Sequence, residues 1–126
     1  MWLFTKYGFF SIVCARQGDG GHGQSVDPQR MMIRARLESH LLALQKRFPE
    51  LLGSIPVQHS KRTDYAYRLF VPKAVGMDIV SQLAEELDFD NFKSEVADFQ
   101  GGKGAAYVHA LHDVWSVMAN LQKAES

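Results

Sequence analysis

Arginine recurs at alternate positions in Met31-Met32-Ile33-Arg34-Ala35-Arg36, and again among aromatic residues in Tyr65-Ala66-Tyr67-Arg68-Leu69-Phe70. In an extended chain successive side chains point to opposite faces. Met32, Arg34 and Arg36 therefore share one face of a strand, and Ala66, Arg68 and Phe70 share one face of another. Guanidinium groups pair with phosphates and carboxylates, and rings beside them offer stacking surfaces. Arg34, Arg36, Tyr65 and Arg68, with His112, are the residues that would line a cleft for a nucleotide, another anion or a small-molecule substrate. Three readings of this face compete: the chain's own last helix, whose stripe includes Tyr107 and Met118, covers it; it is a dimer or partner surface, where these side-chain types are enriched; or it takes an anionic ligand or single-stranded nucleic acid. No residue is identified as catalytic.

Other constellations carry less. Gly18-Asp19-Gly20-Gly21-His22-Gly23 fits the letter of a dinucleotide-binding motif, but that chemistry needs a helix to open at the last glycine. Gln24-Ser25-Val26-Asp27-Pro28 follows instead, and a connector is expected. Gly101-Gly102-Lys103-Gly104 lacks the spacing and the hydroxyl of a phosphate loop. His109 and His112 lie three apart, yet His22, His40 and His59 stand at no ligand spacing and Cys14 is the only thiol, so neither a metal nor a cofactor is implied. Cys14 sits in an apolar strand and is expected to be buried. The acidic run Glu85, Glu86, Asp88, Asp90, Glu95 and Asp98 reads as a solvated surface.

These residues need a frame. Trp2 to Lys6 and Phe9 to Arg16 are rich in aromatic and β-branched residues and meet at Tyr7-Gly8, which predicts a hairpin. Gln17 to Gln29 reads as a long loop and Met31 to Arg36 as a third strand. Leu37 to Leu52 places apolar residues three and four apart, the pattern of an amphipathic helix. Val57 to Lys61 and Tyr65 to Val71 form a second hairpin. A helix follows Pro72, Asp88 or Asp90 caps a short one, and Ala105 to Lys123 forms the last, with Trp115 anchoring it.

The order β-β-β-α-β-β-α-α-α predicts an α+β fold: a mainly antiparallel sheet of about five strands with helices packed on it. Its middle is ferredoxin-like, with an added N-terminal hairpin and a C-terminal helix, all within one domain spanning 1–126. Lys plus Arg equals Asp plus Glu at 14 each, and this neutrality argues against a nucleic-acid partner. A single cysteine excludes an intrachain disulfide. No signal peptide or membrane span is evident, which points to the cytoplasm.

Trp2-Leu3-Phe4-Thr5, Gly8-Phe9, Asp64-Tyr65, Tyr67-Arg68, Asp90-Asn91-Phe92-Lys93 and His112-Asp113-Val114-Trp115 resemble the corresponding segments of a family of small bacterial single-domain α/β proteins with no established activity. The resemblance implies a bacterial or phage origin and a single domain, and brings over no site residue. The expected function is a small binding or regulatory module acting through a protein interface. A homodimer is expected because the first hairpin is apolar on both faces. The alternative is a small-molecule enzyme or a nucleotide- or anion-binding protein that uses the arginine- and aromatic-lined cleft.

Overall fold

The aromatic N-terminal segments pair as β1 (Trp2–Thr5) and β2 (Gly8–Arg16) in the computed structural model, which describes residues 1–18 and 20–125. Thr5 makes the turn: its Oγ1 accepts the N–H groups of Tyr7 and Gly8 and donates to the Gly8 carbonyl. β3 (Val26–Ala35), β4 (Gln58–His59) and β5 (Tyr67–Pro72) complete one sheet, ordered β1-β2-β3-β5-β4, with every neighbouring pair antiparallel.

Two strands differ in extent from expectation. β3 begins at Val26 rather than Met31, because Val26 and Asp27 pair with Arg16 and Ala15 beyond an irregularity at Cys14. Pro28 is tolerated there because β5 reaches only as far as Arg30, leaving no ladder on that side. The strand expected at Val57–Lys61 shrinks to two residues.

One face of the sheet carries α1 (Glu38–Arg47), α2 (Pro49–Leu52) and α3 (Lys73–Glu85). Phe10 and Ile12 of β2, Ile33 and Ala35 of β3, and Leu69 and Val71 of β5 meet Leu41, Leu44, Leu52 and Ile79 there. The single helix expected over 37–52 is broken at Phe48, whose backbone leaves the helical region (φ −122°, ψ 63°). A residue before proline is driven out of that region, and Pro49 then starts the next helix. Glu86, placed by its sequence on a solvated surface, instead accepts from Tyr7 Oη and Arg47 Nε, both at 2.8 Å. Burial and then the Glu86 carboxylate push the Tyr7 phenol up to about 12.

The chain divides into two compact units, Met1–Leu87 and Asp88–Ser126. The second consists of α4 (Phe92–Gln100), a 3₁₀ turn (Gly101–Gly104) and α5 (Ala105–Glu125). Asn91, rather than Asp88 or Asp90, caps α4: its Oδ1 accepts the Ser94 N–H at 3.0 Å. Val96, Tyr107 and Leu111 are buried, but Trp115 is 60% exposed and does not anchor the helix. At 1.5 Å per residue, α4 is about 14 Å long and α5 about 32 Å, so α4 can cover only part of its neighbour. Among the described residues no helix is long and apolar enough to cross a membrane.

His40, in the first turn of α1, is buried against the β1–β2 hairpin, and its Nδ1 accepts the Phe9 N–H at 3.2 Å. A Cβ on Gly8 would overlap this imidazole. Burial lowers the His40 pKa, and a helix N-terminus also disfavours a cation. A neutral histidine in the fold stabilises above the unfolded pKa of about 6.5, and that contribution falls as pH drops below it. Urea unfolding between pH 7.5 and 5.5 is expected to show stability declining by up to about 1.4 kcal/mol per unit below about pH 6.5. His40→Asn is expected to flatten this slope; an unchanged slope contradicts the assignment.

Candidate functional site

The face of the sheet opposite α1 and α3 displays a row set by strand register. Trp2 pairs with Ser11, Ser11 with Arg34, Arg34 with Arg68, and Arg68 with Gln58. The alternation that sends Ile33 and Leu69 into the core turns Arg34 and Arg68 the other way. Two like charges thus sit directly opposite each other on neighbouring interior strands, an arrangement that destabilises a sheet.

Each guanidinium is held in place. Arg34 Nη2 donates to Ser11 Oγ at 2.7 Å, and its Cζ lies 4.6 Å from the centre of the Tyr65 ring. Arg68 Nη2 donates to Thr63 Oγ1 at 2.7 Å and to the Tyr65 carbonyl at 3.0 Å. The Nε atoms of both are buried and have no hydrogen-bond partner among the described residues. Among the described residues neither arginine forms a salt bridge. Burial, and then the charge of Arg34, lower the Arg68 pKa, with Asp64 acting in the opposite sense. The Asp64 carboxylate is itself engaged by the Tyr65 N–H at 3.0 Å.

The pair lies in a cleft of about 670 Å³, a size suited to small organic ligands. Val13, Met32 and Phe70, the next register row, supply apolar lining, while Thr63 and His22 come from the flanking loops. Cys14 also lines the cleft and is exposed, contrary to the expectation of a buried thiol. The register shift between Cys14 and Ala15 accounts for this: a bulge re-aims the side chain beside it.

The other candidate residues divide between the two units. Arg36 Cζ lies 4.3 Å from the centre of the same Tyr65 ring, and Arg36 Nη1 donates to the Asp64 carbonyl at 2.6 Å. Arg34, Arg36, Tyr65 and Arg68 are thus gathered on one face. His112 belongs to the helical unit, where its ring stacks on Trp115 and its Nδ1 lies 3.4 Å from Lys93 Nζ. Sequence reasoning overlooked Ser11 and Thr63, the hydroxyls that fix the two arginines. Only strand register could have placed Ser11 beside Arg34. The Gly18–Gly23 segment lies between β2 and β3 and no helix opens after it; its Asp19 is outside the described residues. Among the described residues no three His, Cys, Asp or Glu side chains gather as a metal site.

Comparison with known protein families, curated proteins and solved structures finds no match for this chain.

A site that holds like charges together is not built for stability. Arg34→Met retains the aliphatic bulk and relieves the repulsion, so denaturant unfolding is expected to stay within about 1 kcal/mol of the native chain. Ile33→Ala, one residue away on the core face, is expected to cost about 2–5 kcal/mol. Equal losses would show that Arg34 serves the fold.

Proposed function

We propose that this chain is a binding module for a ligand bearing a phosphate or carboxylate group, held in the cleft between β3 and β5. The observation that carries the reading is the Arg34–Arg68 pair: two charges fixed by hydroxyls, directly opposite in register and without a salt bridge among the described residues. An oxyanion with several acceptor oxygens can bridge two guanidinium groups and relieve their repulsion. The apolar Val13, Met32 and Phe70 favour a ligand with an organic body as well as a charge.

We also read β3–α1–β4–β5–α3 as a ferredoxin-like half. The order β3-β5-β4, with α1 and α3 packed on β3 and β5, supports this, and β2 flanks β3 where a closing C-terminal strand would otherwise lie. A second functional reading, association with another copy of the chain, draws support from α5. Val114, Met118 and Leu121 recur there at spacings of four and three and are exposed, as are Trp115 and Val117. The first hairpin supports it less, because Phe10 is buried and Phe4 and Phe9 are half-buried. Light scattering separates a monomer of 14.2 kDa from a dimer.

Thermal unfolding in inorganic phosphate or pyrophosphate, against chloride at equal ionic strength, tests the anion site. Ligand at ten times its Kd adds about 1.4 kcal/mol, which is several degrees in Tm. The rise is expected in the native chain and lost in Arg34→Met and Arg68→Met. A rise that survives both substitutions, or none in the native chain, refutes the reading.

A further inference from the structure

We propose that the face of the sheet opposite α1 and α3 binds single-stranded nucleic acid, with backbone phosphates on Arg34 and Arg68 and a base stacked on Trp2. The proposal rests on the anion reading of the cleft and extends it along the register row. Trp2 is 68% exposed and belongs to the same row as Ser11, Arg34 and Arg68. With strands about 4.8 Å apart, Trp2 stands about 10 Å from Arg34 and about 14 Å from Arg68 along the row. A sheet of this width accommodates about two or three stacked bases.

The rings behind Trp2 form a support. Phe9 meets Trp2 edge-on at 5.8 Å, Phe4 stacks on Phe9 at 4.5 Å, and Tyr65 lies 6.3 Å from Phe9. Tyr65, itself buried, in turn carries Arg34 and Arg36, so the ring cluster that supports Trp2 also positions the cations. Across the sheet, Arg30 lies over the Phe70 ring at 5.3 Å. An exposed indole beside a line of cations suits a single strand, whose bases are free to stack and whose backbone is anionic. A duplex keeps its bases stacked internally and offers nothing to Trp2.

Charge complementarity reverses the argument from neutrality. The sheet unit, Met1–Leu87, has eleven Lys and Arg against eight Asp and Glu, whereas Asp88–Ser126 has three against six. The balanced total is a cancellation between a basic sheet unit and an acidic helical one. The carboxylates near the face are also occupied: Asp27 accepts the Gln29 N–H and Asp64 the Tyr65 N–H, both at 3.0 Å.

The test is fluorescence anisotropy of labelled single-stranded RNA and DNA, about eight nucleotides long, with the full chain at about 50 mM salt. Saturable binding is expected. Trp2→Ala should weaken it at least about fivefold, while Trp2→Phe keeps most of it. The double variant Arg34→Met, Arg68→Met should lower the salt slope by about 1.4. In a Trp115→Phe background, bound strands should quench the remaining tryptophan. If oligonucleotides fail to bind while pyrophosphate still raises Tm through Arg34 and Arg68, the nucleic-acid inference falls and the anion site stands. If neither binds, both fall. Equal affinity for a duplex, or indifference to Trp2→Ala, would reduce the interaction to nonspecific charge attraction and overturn the proposal. Trp2-dependent self-association that excludes oligonucleotides would put a second copy on this face and overturn it as well.

Discussion

Arg34 and Arg68 stand opposite each other on two neighbouring interior strands of an antiparallel sheet, and much of the surrounding structure serves to keep them there. Like charges at directly opposed positions repel, and a partly buried guanidinium loses hydration that its neighbours must replace. Ser11, Thr63 and the Tyr65 carbonyl replace part of it. The two Nε–H groups remain without partners among the described residues. A buried donor left unmade costs about 1–3 kcal/mol, a penalty that a fold selected only for stability would shed by substitution.

The sheet can tolerate the pair because its opposite face is well packed. Ile33 and Leu69, adjacent in sequence to the arginines, are fully buried beneath α1 and α3. Strand periodicity makes the two roles inseparable: a slip of one residue would exchange core for cleft along the whole strand. Register is secured by the Thr5 turn, by His40 beneath Gly8 and Phe9, and by the Tyr7–Glu86–Arg47 network. These groups lie away from the cleft, so the positions that hold the fold and those that hold the charges are largely distinct.

The arginine-bearing face was legible from alternation alone, because Arg34 and Arg68 sit in strands whose intervening residues are apolar. The element order was legible for the same reason, from the change of apolar period between strands and helices. What escaped was set by partners distant in sequence. Cys14 looked like a core residue until the bulge beside it was placed. The break at Phe48 was hinted at by Pro49, but the amphipathic period ran through it. Trp115 shares a helix with the buried Tyr107 and Leu111, and nothing in α5 itself says that α4 ends too soon to cover it. Glu86 lies in an acidic run, and only tertiary structure brings Tyr7 and Arg47 to it. The neutral total hid a charge division that became visible once the unit boundary near Leu87 was known.

The most direct test of the central claim is to watch the arginine Nε–H groups themselves by nitrogen–proton NMR during titration with pyrophosphate. The account predicts that the Arg34 and Arg68 signals shift together, saturate at one common Kd, and gain protection from exchange with water as their charges are bridged. The exposed Arg62 serves as the control for ionic strength. If Arg34 and Arg68 move no more than Arg62, or respond independently of each other, the pair is not an anion site and the account is wrong.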